Sequence, residues 1–388
     1  MPVPLTSTPA PLLALGQRWE KLGLILPRSL LNWAEIHAAP NLISDAEINQ
    51  CLAYWRSRKV ALVRQTAYRG AYLPDPSQNW VNIVLSARAH LGPMSFLAEL
   101  QADYFVVRQA PDPETHLWRE NIAHDIDPQG SLREVQAWQA EQESKGVVDC
   151  EKVRWSDYDL VICMDIPIPS RIVSKTTKTI WAYYSVEAGG FLHKKSISKP
   201  MAGYHLYLNH CFRRYRTRPF NRRHMLEFPF TFQSAKTWES LANSTLSSGR
   251  PRHGALVDRA SWKSSPAEKP SFMTPLSGKT PIYIQLMTSH QFAIRTAPEI
   301  RWGNWAIESI QAGCLFLGRA ESLAMPGILL PELIAPDLAT AQRTIESLLR
   351  NPLRMKVLAQ TQAALTEHLA FRRPLVDLTN HAKAFFKA

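Results

Sequence analysis

The sequence predicts an α/β protein built from two parallel-sheet domains. Three observations carry this. From residue 60 onward, short apolar strands alternate with helix-forming stretches. Several of those strands are apolar at every position rather than at alternate ones, which marks strands covered on both faces. The 388 residues are also enough for two domains of ordinary size, and 45% apolar content supports a real core in each.

Taken in order, residues 1–40 form a variable segment whose first part, with Pro2, Pro4, Pro9 and Pro11, is expected to be disordered. Between Leu12 and Ile36, leucines and Trp19 and Trp33 mix with Arg18, Lys21 and Arg28. That mixture fits an interfacial segment for an anionic membrane, or a pair of packing helices broken at Gly23 and Pro27. A first domain is expected over 41–230, with strands at 60–63, 104–107, 159–164, 179–184, 205–208 and 225–228, and helices at 80–100 and 131–145. Residues 231–280, rich in Ser, Pro, Gly, Lys and Arg toward their end, read as a linker or insertion. Within them Ala255-Leu256-Val257 can open the second domain. That domain, 281–388, is expected to hold an ambiguous apolar run at 282–287, strands at 291–294 and 315–317, and helices at 338–349 and 353–369. Its last residues, from Pro374, are expected to cross back to the first domain.

Charge and cysteine usage narrow the function classes. A formal charge of +12 suits a polyanion, an anionic membrane surface or a phosphorylated substrate. Five singly spaced cysteines without a CxxC pair argue against a disulfide framework. No basic-then-apolar leader and no uncharged apolar run of spanning length is present. The expected location is therefore the cytoplasm, with peripheral attachment at the inner face of the membrane as its variant.

The most informative stretch is Arg301-Trp302-Gly303-Asn304-Trp305-Ala306-Ile307-Glu308-Ser309-Ile310-Gln311-Ala312-Gly313, followed by Cys314-Leu315-Phe316-Leu317-Gly318. It reads as a glycine loop, a short helix capped by Asn304, a glycine stop and a buried strand. Gly303 allows close backbone approach, and the first N–H groups of the helix favour a phosphate. Glu308, about one turn in, can grip sugar hydroxyls. The segment Gly303-x4-Glu308-Ser309-x2-Ala312-Gly313-Cys314-Leu315 resembles the donor-site helix of GT-B glycosyltransferases. The later runs Pro331-Glu332-Leu333, Asp337 to Ala341 and Ile345 to Pro352 extend the likeness over about 250–375.

That resemblance implies two Rossmann-like domains facing a cleft, a nucleotide-diphosphate sugar as donor, and no cofactor or metal. It implies that Arg259 and Lys263, just after Ala255-Leu256-Val257-Asp258, neutralise the donor diphosphate. Arg301, Gly303, Asn304, Glu308 and Ser309 complete the donor site. Where retaining members carry two glutamates with seven residues between them, this chain has eight between Glu299 and Glu308, and Ile300 stands at the expected position. The stereochemistry of transfer is left open.

Ligands of open α/β sheets bind beyond the carboxyl ends of the strands. That rule selects Glu187 and Asp165 as candidate general bases, with His90 and His193 as further ones. The basic run holding Arg213, Arg214 and Arg216 fits a saccharide or lipid-linked acceptor or an anionic membrane surface; nucleic acid is not the expected partner. Asp125-Ile126-Asp127 has a metal-binding spacing but does not end an apolar strand, and His116 and His124 lack zinc spacing. The expected activity is hexosyl transfer to a hydroxyl acceptor in cell-surface glycan or polysaccharide synthesis. The alternative is a catalytically silent basic binding protein, since no glycine-rich loop follows the first strand.

Overall fold

The computed structural model describes residues 43–65, 98–108, 148–164, 167–185, 203–209, 225–229, 232–245, 252–265, 270–276, 280–298, 304–323 and 325–387. The variable segment 1–40, most of the helix expected over 80–100 and the helix expected over 131–145 lie outside them. The chain divides into two compact units. The first comprises Ala46–Ser248, Gly278–Gln285 and Ala370–Ala388; the second comprises the described residues up to Asp45 with Gly249–Ser277 and Leu286–Leu369.

In the first unit, helix α1 (Asp45–Arg56) leads into β1 (Val60–Gln65). Then come β2 (Asp103–Arg108), β3 (Val148–Asp149), β4 (Leu160–Met164), the short α2 (Ser170–Val173) and β5 (Ile180–Ser185). After them follow β6 (Leu206–Asn209), β7 (Met225–Glu227) and α3 (Ala235–Thr245). The strands pair in parallel in the order β3-β2-β1-β4-β5-β6-β7. Successive strands step outward from β1 to β3, cross back, and step outward again from β4. The order therefore reverses between β1 and β4.

This sheet is apolar on both faces for a sequence reason. Ala61, Val63, Val107, Val161, Cys163, Trp181, Tyr183 and Tyr207 share one face and pack with Trp155, Ile172 and Tyr204. The alternating Val60, Leu62, Val106, Leu160, Ile162, Ala182 and Leu206 are buried as well. Trp155 meets Phe105 and Trp181 edge to face at 5.5 and 5.7 Å, and its indole N–H donates to the Cys150 carbonyl at 2.9 Å. Burial pushes the Cys163 thiol up to about 11 and that of Cys150 to about 12. Both cysteines therefore stay protonated and act as small hydrophobes.

In the second unit, β8 (Ala255–Val257), α4 (Arg259–Ser264) and β9 (Met273–Pro275) come first. The ambiguous run 282–287 falls within helix α5 (Thr280–Ser289), whose residues up to Gln285 are assigned to the first unit and the rest to the second. Strand β10 (Phe292–Arg295), α6 (Asn304–Gln311), β11 (Leu315–Gly318), α7 (Leu338–Leu349) and α8 (Pro352–Glu367) follow. The sheet order is β11-β10-β8-β9, again parallel throughout. Here the reversal lies between β8 and β10. Strand β9 sits inside the stretch read as linker; its three residues are too few to interrupt the polar composition around them.

Two sequence devices set the ends of these elements. Asp337 accepts the Thr340 N–H at 2.7 Å and starts α7, while Asn351 accepts the Arg354 N–H and, with Pro352, starts α8. Gln362 is fully buried on α8: its Oε1 accepts the Phe316 N–H at 2.8 Å, and its Nε2 donates to the carbonyls of Phe316 and Ile328. An amide side chain thereby pairs the outer edge of β11 as another strand would. After a π-helical turn, His368–Arg372, helix α9 (Arg373–Lys387) belongs to the first unit, where the Trp55 indole N–H donates to Thr379 Oγ1 at 2.9 Å.

Candidate functional site

In a doubly wound sheet the strand-order reversal opens a crevice beyond the carboxyl ends. In the second unit that place is fixed by β8 and β10, whose register sets Ala255 beside Phe292 and Val257 beside Ile294. β10 runs one residue further than β8. Asp258 and Arg259 continue from β8, and Thr296 and Ala297 follow Arg295, the last residue of β10.

The strand ends are tied by a buried polar network. Asp258 Oδ2 accepts the N–H groups of Ala260 and Ser261 at 3.2 and 3.3 Å, so it caps α4. The same oxygen accepts the Ser261 hydroxyl and lies 3.0 Å from Arg295 Nη1. Ser261 Oγ in turn accepts the N–H groups of Thr296 and Ala297 at 2.8 and 3.0 Å. Ser261 is fully buried, and the Arg295 side chain is only 3% exposed. One hydroxyl and one carboxylate thus join the two loops that border the crevice.

Arg259 is the first residue of α4 and is exposed; Lys263, four residues on, is exposed too. Residues four apart share a helix face. Asp258 already takes the Ala260 and Ser261 N–H groups of α4, which leaves the side-chain cations Arg259 and Lys263 as the main charge that an anion beside this loop would meet.

Helix α6 follows β10. Asn304 is its first residue, and Trp305 through Ile310 are all buried, among them Glu308 at 2% exposure. Glu308 therefore stands on a helix enclosed all round, one turn from its start. The Ser309 hydroxyl donates to the Ala306 carbonyl at 3.0 Å, within the helix itself. The helix stops as the sequence indicates. Gly313 has φ of +90°, its N–H reaches the Ile310 carbonyl, and the Cys314 N–H reaches that of Ser309. These are the two bonds of a Schellman ending, which needs the left-handed backbone that glycine adopts freely. Arg301 and Gly303 lie outside the described residues, as does Glu299.

The first unit carries the matching crevice at the ends of β1 and β4. Arg64 is 2% exposed there, on the carboxyl half of β1. Asp165 follows β4 directly in the chain, and Glu187 follows β5 by two residues. Both lie outside the described residues, as do Arg213, Arg214, Arg216, His90, His193 and the segment Asp125 to Asp127 with its neighbouring histidines.

Sequence reading did not single out Arg64, Arg295 or Ser261, and it took Asp258 only as the end of a strand. A signal was present for the arginines. Each ends or nearly ends an apolar strand, where a charge can be buried only with partners. Ser261 gives no such signal, since its role depends on a strand neighbour 35 residues away.

No family model and no curated protein matches this chain. Among solved structures it is similar to the sucrose-phosphate synthase of Thermosynechococcus elongatus, with 11% identity over 85% of this chain and 99% of that one and a TM-score of 0.43. It is also similar to Anabaena HepE in complex with UDP, at 10% identity over 84% and 98% of the two chains and a TM-score of 0.43. The likeness to HepE in complex with UDP-glucose is of the same degree, at 10% identity over 85% and 100% of the chains and a TM-score of 0.43.

Proposed function

We propose that this protein transfers a sugar from a nucleoside diphosphate donor to a hydroxyl acceptor. One observation supports the reading above the others. At the strand-order reversal of the second unit, exposed Arg259 and Lys263 leave the end of β8, while the helix that follows its neighbour β10 carries the buried carboxylate Glu308. Cations after one strand and a carboxylate on the helix after its neighbour suit a molecule that is anionic at one end and hydroxylated at the other. Arg259 and Lys263 would hold the diphosphate, Gly303 to Trp305 would add backbone donors with Arg301 near them, and Glu308 would accept from sugar hydroxyls.

Transfer breaks the bond between the sugar's anomeric carbon and the diphosphate oxygen and forms one to the acceptor oxygen. Negative charge grows on the departing diphosphate, so fixed cations stabilise the transition state more than the ground state. The acceptor's proton goes to a base, for which Glu187 and Asp165 are the candidates. The acceptor we favour is a growing glycan or a lipid-linked saccharide, met by Arg213, Arg214 and Arg216. On this reading the protein would work at the inner face of a membrane in polysaccharide synthesis. Among the described residues no helix is long and apolar enough to cross a membrane, and peripheral contact is the arrangement proposed.

The test is a thermal-shift panel of nucleotide sugars on the wild-type protein and on Glu308→Ala. At a ligand concentration a hundredfold above Kd, a binder stabilises its protein by about 2.7 kcal/mol, a shift of a few degrees. At least one nucleotide sugar is expected to give that shift with the wild type and to lose most of it with the variant. A chain that no nucleotide sugar stabilises, but that binds RNA with affinity falling steeply with salt, would be a nucleic-acid binder instead.

A further inference from the structure

Resting on the donor site just described, the geometry points to Arg295 as a positioning residue that keeps this crevice able to accept a diphosphate. Two charges conflict at this crevice. Asp258 is a carboxylate adjoining Arg259, at the place where an anion is to be held. Left uncompensated, it would repel that anion across a few ångströms of poorly solvated protein. It also takes the Ala260 and Ser261 N–H groups, so those two amides of the helix terminus are not open to an incoming phosphate.

Arg295 resolves the conflict. Its Nη1 lies 3.0 Å from Asp258 Oδ2, both side chains are largely withdrawn from solvent, and the pair is formally neutral. The charge met by a ligand beside this loop is then that of Arg259 and Lys263. The same pair has a mechanical role. Arg295 holds Asp258, Asp258 holds the first turn of α4 and the Ser261 hydroxyl, and Ser261 holds the amides of Thr296 and Ala297 just past Arg295 itself. The backbone from which Arg259 springs is closed into a ring. Gly318 completes the enclosure: a Cβ there would stand 2.2 Å from the Arg295 carbonyl oxygen, so β11 packs directly on the residue that carries the guanidinium.

The measurement is calorimetric titration of UDP, GDP and ADP, each beside its nucleoside, with the wild type, Arg295→Met, Asp258→Asn and the double variant. The nucleoside has no phosphate, so the ratio of the two affinities isolates the anion site from general damage to the fold. For Arg295→Met, diphosphate affinity is expected to fall about tenfold or more with nucleoside affinity little changed, a loss within reach of one uncompensated charge at this range. The double variant, which removes both charges, is expected to recover most of that loss. Asp258→Asn alone is expected to bind the diphosphate more tightly than the wild type, and this arm stands even where Arg295→Met does not fold.

Equal loss of nucleoside and diphosphate binding in Arg295→Met would overturn the inference while leaving the sugar-transfer reading intact. So would weaker diphosphate binding by Asp258→Asn, or a double variant no better than Arg295→Met. A wild-type protein that binds none of the three diphosphates would overturn both.

Discussion

At the scale of single residues, Gly318 shows how little room the second sheet leaves. The carbonyl of Arg295 lies 2.2 Å from where a Cβ would stand. Backbone cannot swing aside as a side-chain tip can, so the cost falls on the pairing of β10 with β11. We expect Gly318→Ala to destabilise the second unit by about 1–3 kcal/mol, the usual range for overpacking, measured by urea denaturation. Legibility at this scale was uneven. The stop at Gly313 was readable because a glycine after an apolar helix face has few other uses. Arg295 was not singled out, because the strand read as 291–294 ends one residue too early, at the last apolar side chain. A charge buried by a partner just past the neighbouring strand looks, in one dimension, like the start of a loop.

At the scale of elements, α3 begins with a cap assembled from two distant pieces. Ser234 Oγ accepts the Thr237 N–H at 3.1 Å, and the Ser234 N–H donates to Glu99 Oε1 at 2.7 Å. A glutamate 135 residues earlier thus fills the place that a glutamate three residues later usually takes. Burial raises the Glu99 carboxyl above its ordinary range, against the lowering effect of that N–H. The sign follows. The folded state holds its proton to higher pH than the unfolded chain does, so stability falls as pH rises from the unfolded value, about 4.3, through the raised folded value. Glu99→Gln keeps the acceptor oxygen without the titration. Its melting temperature is expected to match the wild type near pH 4 and to exceed it increasingly toward neutrality, tracked by thermal melts across pH. Element types were legible where the apolar pattern was long, as in β4, β5, α7 and α8. They were not at β9 or α5. Three residues in a polar stretch carry no periodicity, and an apolar run without alternation fits a buried helix as well as a strand.

At the scale of the whole molecule, the chain leaves the first unit for the second and returns to the first with α9. Phe371, Leu375 and Leu378 are essentially fully buried in the segment that joins the first unit, and Phe371 stacks on Phe232 with ring centroids 5.3 Å apart. Burying three such side chains contributes about 5–9 kcal/mol, comparable to the whole stability of a domain. Truncation after Leu369 is expected to leave the first unit susceptible to proteolysis at a temperature where the full chain resists, while the sheet of the second unit persists. The two reversals of strand order also belong to this scale. The alternation of strands and helices foretold parallel sheets, but not which strands would be neighbours, because that depends on crossings no local pattern records. Once the orders β3-β2-β1-β4 and β9-β8-β10-β11 are known, the strand-end residues follow.

A nucleoside diphosphate sugar bound beyond β8 and β10 would leave its mark on hydrogen exchange across the full chain, measured with and without the nucleotide sugar that gives the largest thermal shift. New protection is expected in residues 255–264 and 304–313, with weaker change elsewhere in the second unit. Binding that leaves both segments unprotected, while protecting sites far from these strand ends, would contradict it.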